Sequence, residues 1–133
     1  MNVIPQDRQD LLSPEKKSFA NIATIGPRGE PQNNPVWFDY RDGKIRFSQT
    51  TARQKLRNLK RDPRVAISII DPENPYRYLE LRGKVVKVRP DRDRAFGNHL
   101  AMKYTGGPMQ SEDPPGVERV IVEVEPEHAT TMR

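Results

Sequence analysis

The sequence predicts a mainly β domain: six strands in an antiparallel sheet, most economically closed into a small barrel, with short helices alongside. Three observations carry this expectation. Several segments alternate apolar and polar residues, or run nearly apolar throughout, as strands do. Turn signals rich in Gly, Pro and Asp separate them by only a few residues. Only short stretches show the spacing of an amphipathic helix. Strands joined mainly by tight turns pair antiparallel, and closing the sheet removes its exposed edges.

In chain order, Pro5–Leu12 is compatible with a short helix. Ser18–Gly26 ("SFANIATIG") is apolar and β-compatible, and Pro27–Glu30 ("PRGE") forms a turn in which Gly29 is free to take a positive φ. Pro31–Tyr40 is expected as a second strand. Arg41–Gly43 ("RDG") is a hairpin signal leading into Lys44–Thr50, where Ile45 and Phe47 alternate with Lys44, Arg46 and Ser48. These three strands are expected to form a meander.

A short helix follows. Thr51 and Gln54 have the spacing of a capping box, and Ala52, Leu56 and Leu59 form one apolar stripe. Asp62-Pro63 ends it, because a residue before proline avoids the α region. Arg64–Asp71 ("RVAISIID") is expected as a central buried strand, Pro72–Arg77 as a loop, and Tyr78–Val88 as an alternating strand. Asp91–Tyr104 carries Phe96, Leu100 and Tyr104 at helical spacing. Thr105–Gly116 is expected as a mobile loop, and Val117–Pro126 as the closing strand.

The 133 residues suit a single domain, 1–133. The absence of cysteine excludes disulfides, thiolate metal sites and thiol nucleophiles. The first dozen residues carry charges where a signal peptide needs an apolar core, and no apolar run approaches the ~20 residues of a membrane span. A cytoplasmic protein without membrane partners is expected. The net charge of +5 admits anionic partners without choosing among them.

That charge concentrates in one place. Arg53, Lys55, Arg57, Lys60, Arg61 and Arg64 lie within a dozen positions, interrupted only by the acid Asp62. Most charge runs are solvated faces, and this one can be read so. The placement of Arg53 and Lys55 in the first helical turn favours another reading. Cations there oppose the helix dipole, at a few tenths of a kcal/mol each, unless an anion is present. The unpaired N–H groups of a helix N-terminus, with the hydroxyls of Thr50 and Thr51, make an anion site. Nucleic acid is disfavoured, because no aromatic residues interleave with the cations and no helix-turn-helix partner is visible.

The stretches "FANIATIGPRGEPQNNPVWFDYRDGKIRFS", "TARQKLRNLKRDPRVAISIID" and "NPYRYLELRGKV", in this order, resemble the FMN-binding split β-barrel superfamily, the pyridoxamine 5′-phosphate oxidase-like fold. Within it, they look most like the branch that uses the deazaflavin coenzyme F420. The resemblance covers half the chain, Phe19–Val85. It implies a six-stranded antiparallel split β-barrel with short flanking helices, homodimeric, with the cofactor at the dimer interface. It implies that Arg53 and Lys55 grip the cofactor phosphate, while Thr50 and Thr51 supply hydroxyl and backbone donors. Gln32 and Asn34 would face the ring system, and Asn58 would tie the helix to a strand. Tyr76, Arg77 and Tyr78 would reach the site from the other protomer. The loop Thr105–Gly116 would govern substrate choice.

The implied activity is reduction of an electron-poor small molecule by hydride from reduced F420. The alternatives are an FMN-binding oxidase or reductase of the pyridoxamine phosphate oxidase type, and a non-catalytic F420 carrier. No catalytic acid is singled out. His99 and His128 are far apart and lack the further ligands a metal needs, so both are expected at the surface. Trp37, Phe38 and Tyr40 are expected in packing. The absence of a Ser/His/Asp grouping fits a reaction whose reactive centre belongs to a cofactor.

Overall fold

The computed structural model describes residues 3–131. Seven strands form one antiparallel sheet: β1 (Ala20–Ile25), β2 (Pro31–Val36), β3 (Asp39–Arg41), β4 (Lys44–Thr50), β5 (Arg64–Asp71), β6 (Asn74–Pro90) and β7 (Arg119–Thr130). Two α-helices accompany it, α1 (Gln54–Arg61) and α2 (Ala95–Thr105), with short 3-10 helices at Gln6–Leu12 and Arg92–Arg94. No helix among the described residues is long and apolar enough to cross a membrane.

The strand order is β2-β1-β5-β6-β7-β4-β3. The expected strand Pro31–Tyr40 is therefore two strands, and the count is seven rather than six. Its halves occupy opposite edges of the sheet. β2 pairs with β1, as in Ile22 opposite Asn34, whereas β3 pairs with β4, as in Tyr40 opposite Ile45. The expected meander is thus broken at Trp37-Phe38. Three peptide steps from Val36 to Asp39 reach at most ~11 Å, so the two edges must lie side by side. The sheet is curled into a barrel whose seam is crossed by covalent chain rather than by a ladder of hydrogen bonds, which is a split barrel.

The inward face is apolar at alternate positions. Ile22, Ile45, Phe47, Ile67, Ile69, Leu79, Leu81, Val122 and Val124 are all buried, and Leu11 and Leu12 join them from the first 3-10 helix. β5 is central, as expected, but only alternate residues are covered: Val65, Ile67 and Ile69 are buried while Ile70 is exposed. β6 begins earlier than expected. The turn shrinks to Pro72-Glu73, because the Asp71 carboxylate accepts the Glu73 N–H at 2.9 Å. Pro75 is tolerated there because the β6–β7 pairing starts only at Glu80.

Helix α1 starts at Gln54, and the expected capping box of Thr51 and Gln54 does not form. Arg53 occupies the N-cap without a side-chain cap, and the Thr51 hydroxyl instead accepts the Glu118 N–H at 3.1 Å. Leu56 and Leu59 face the core as expected, whereas Ala52 lies exposed before the helix. Asn58 is fully buried between them. Its Nδ2 donates to Thr24 Oγ1 and Gln32 Oε1, both at 3.0 Å, and its Oδ1 accepts from Gln54 Nε2 at 2.8 Å. One amide thus fastens α1 to both β1 and β2. Asn58→Ala should destabilise the protein by about 1–3 kcal/mol, because it strands buried partners, and denaturant unfolding measures this.

β6 and β7 slip register between Arg82 and Gly83. A methyl group on Gly83 would collide with the Glu125 carbonyl oxygen, so backbone meets backbone with no flexible side chain to yield. Gly83→Ala should lower stability by about 1–3 kcal/mol, the usual cost of overpacking, seen as a lower unfolding midpoint.

Candidate cofactor site

A cleft of about 770 Å³ opens between the N-terminal end of α1, strand β2 and helix α2. That volume suits a cofactor-sized ligand. Five of the sequence-expected residues meet there: Gln32 and Asn34 from β2, Thr50 from the end of β4, and Arg53 and Lys55 at the head of α1. The Gln32 amide is held on both sides, accepting from Asn58 and donating to Asn34 Oδ1 at 2.9 Å.

The electrostatics are one-sided. Arg53, Lys55, Arg57 and Arg119 line the cleft, and no carboxylate or histidine does among the described residues. Lys55 is the extreme case. It is only 5% exposed, and its Nζ lies 5.9 Å from the centre of the Phe47 ring. No acid pairs with it among the described residues. Burial, reinforced by the neighbouring Arg53 charge, pulls its pKa from 10.5 down to about 8. A buried ammonium beside a second cation is electrostatically unfavourable. An anion entering the cleft would supply a countercharge and accept hydrogen bonds from these groups.

The donors differ in part from the expectation. The Thr50 N–H is taken by Gln49 Oε1 at 3.1 Å, and the Thr51 N–H by the Glu118 carbonyl at 2.9 Å. Neither backbone group is free for a ligand, and Thr51 stands outside the cleft lining. Tyr76, Arg77 and Tyr78 do not line this cleft. Tyr76 is 77% exposed. The Arg77 guanidinium is committed to Asp10 at 2.6 and 2.9 Å and to Asp71 at 3.0 Å. The Tyr78 carbonyl accepts from Arg8 at 3.1 Å.

Several cleft residues escaped the sequence reading. Phe19, Trp37, Leu100 and Met109 form an apolar side. Trp37 stacks flat on Tyr104, with ring centroids 5.3 Å apart, and the Tyr104 hydroxyl donates to the Ser18 carbonyl at 2.5 Å. Burial pushes that hydroxyl up to about 12, so it stays a donor at any ordinary pH. Arg119 also enters the cleft. Its guanidinium spans Asp113 and Ser48, with Nε 2.9 Å from Asp113 Oδ2 and Nη1 2.8 Å from Ser48 Oγ. The loop expected to be mobile is in fact stitched down. Arg94 donates to the Ser111 carbonyl at 2.5 Å, and the Met109 N–H donates to Asn98 at 2.9 Å. Hydrogen bonds from Arg119 hold the Asp113 carboxyl below the usual range, and Arg94 adds to this. No local pattern marks these partners, because their separations range from six residues for Arg119 and Asp113 to 71 for Arg119 and Ser48.

Of the histidines, His99 is exposed and lies 3.4 Å from Asp39, and His128 is exposed on β7. No group of three or more His, Asp or Glu able to hold a metal occurs among the described residues.

The Lys55 shift has a stability consequence with a definite sign. A lysine whose folded pKa is depressed costs stability wherever the unfolded chain is protonated. The cost is complete below about pH 8, fades as pH rises towards 10.5, and then vanishes. Lys55→Met should therefore stabilise the empty protein by about 1–2 kcal/mol at pH 7, less than the full shift because the contact with Phe47 is lost. Unfolding by urea at pH 7 and pH 10 should show the gain shrinking at the higher pH.

A family model described as pyridoxamine 5′-phosphate oxidase matches residues 7–133. Among solved structures, the chain is similar to an F420 reductase, with 43% identity over 96% of this chain and 98% of that one, at a TM-score of 0.83. A conserved hypothetical protein from Mycobacterium tuberculosis shares 24% identity over 98% of this chain and 86% of its own, at a TM-score of 0.71. The heme storage protein HutZ from Vibrio cholerae shares 16% identity over 98% and 94%, at a TM-score of 0.65. At those identities the last two share the fold alone. No curated protein matches the chain. The match over nearly the whole chain, together with the split barrel and its cation-lined cleft, establishes that this chain belongs to the pyridoxamine 5′-phosphate oxidase family.

Proposed function

We propose that this chain is an F420-dependent reductase that acts on an electron-poor small molecule. The carrying observation is the buried Lys55, beside Arg53, at the head of a cleft with no acid in its lining. The 43% identity to an F420 reductase supports the choice of deazaflavin over flavin. The bound cofactor would supply a hydride for an electron-poor double bond.

The residues present fit such a group. Arg53 offers a planar fork and Lys55 a point charge to a phosphoryl group, with the Thr50 hydroxyl beside them. Thr51, just outside the lining, keeps its hydroxyl proton free to donate. Gln32 and Asn34 present amides to the edge of a ring system, in an orientation fixed by Asn58. Trp37, Leu100 and Met109 exclude water from the far side. With no carboxylic acid or histidine in the lining, protonation of the product falls to water. In this proposal the protein is a homodimer, and the segment Tyr76–Tyr78 of one protomer, with Tyr76 its exposed member, completes the cleft of its partner.

Arg53→Ala and Lys55→Met should each weaken F420 binding by about 1.5–3 kcal/mol, measured by titration calorimetry. Normal affinity in both variants would remove the phosphoryl site. Affinity should also fall as pH rises past about 8, where Lys55 of the free protein loses its proton and binding must restore it. Tighter binding of FMN than of F420 would make this a flavin enzyme. Tight F420 binding without turnover on a panel of enones and quinones would make it a carrier.

A further inference from the structure

Helix α2 divides two concavities. Gly97 and Leu100 face the cleft described above, whereas Ala95, Phe96 and His99 line a second cavity of about 540 Å³. This volume also lies in the range of small-molecule sites. Four guanidinium groups converge on it from separate elements: Arg41 from the end of β3, Arg46 from β4, Arg89 from the end of β6 and Arg92 from the turn before α2. Its floor is apolar. Phe96 and Ile121 are 6% and 5% exposed, and the Arg46 guanidinium lies 4.7 Å from the centre of the Phe96 ring.

Most acids nearby are already used; Asp42 is the exception, acting on Arg46 through its charge without an ion pair. Asp39 takes Arg46 in a two-point pair at 2.8 and 2.6 Å, and also faces His99. Glu123 accepts from Arg89 at 3.1 Å. Asp91 caps α2 instead, accepting the Phe96 and Gly97 N–H groups, both at 2.8 Å. Arg41 and Arg92 have no carboxylate within ion-pair distance among the described residues. Two exposed guanidinium groups without an ion pair therefore line a pocket floored by hydrocarbon, together with the buried Arg46. Guanidinium forks match the two oxygens of a carboxylate or phosphate, and the floor matches a flat ring.

We propose that this second cavity binds a small organic anion, a carboxylate or phosphate monoester carried on a flat apolar ring. The site is separate from the cofactor cleft and does not depend on the identity of the cofactor. Naphthoate, naphthyl phosphate and neutral naphthalenemethanol, titrated into isotope-labelled full-length protein, test it by amide chemical shifts. Saturable shifts at Phe96, His99 and Ile121, with Gln49 and Lys55 unmoved, are expected from both anions. The tighter of the two names the head group. Arg41→Gln combined with Arg92→Gln, both at exposed positions, should weaken the anions at least about tenfold, and added salt should do the same. Equal binding of the neutral compound would overturn the proposal, as would shifts centred on Gln49 and Lys55. A dimer in sedimentation that Arg41→Glu with Arg92→Glu dissociates would also overturn it, because the cavity would then be a subunit seam.

Discussion

Two residues, Trp37 and Phe38, impose the constraint on which the rest depends. They connect strands at opposite edges of a seven-stranded sheet, so the sheet must curl until those edges meet. That closure brings the β2 amides towards the head of α1 and puts Trp37 in the wall of the cleft. The crossing is itself well anchored. Lys103 donates to the Phe38 carbonyl at 3.2 Å and lies 4.8 Å from the Phe38 ring centre, while Tyr104 stacks on Trp37. Helix α2 thus clasps the seam that the backbone ladder leaves open.

Within this frame, the cleft is electrostatically unfinished. A folded protein ordinarily pairs a buried charge or lets it neutralise. Lys55 has no acid partner among the described residues and half yields, with a pKa near 8. By contrast, Arg77 is matched by Asp10 and Asp71, and Arg119, in the same cleft wall, by Asp113. The contrast separates charge paired within the fold from a buried charge that no acid compensates among the described residues. The cost in stability is local to the head of α1.

The segment after α2 shows how a loop without regular structure can still be fixed. Asp93 and Arg94 both adopt positive φ, at 55° and 56°, a strained choice for non-glycine residues. The strain turns Arg94 towards Ser111 and Asp113, and the loop then carries Met109 into the cleft wall. Its pinning depends on a few side-chain bonds rather than on a ladder, so it is the part of the wall most open to change by substitution.

By itself, the sequence determined the antiparallel sheet, nearly every element and the concentration of positive charge, Arg53 and Lys55 included, at the head of α1. Each of these is encoded locally, in alternation, in turn residues, and in cations placed where a helix dipole disfavours them. The boundary errors share one cause. Pro31–Tyr40 alternates no differently on either side of Trp37, so nothing local shows that the chain changes edges there. Thr51 and Gln54 have the spacing of a cap, but the Glu118 backbone claims Thr51 first. Only the tertiary structure decided that Asn58 orients Gln32, that Arg119 and Met109 wall the cleft, and that four arginines surround a second cavity. Those facts are relations between residues dozens of positions apart, and a short-range pattern holds no record of which distant group will satisfy a buried donor.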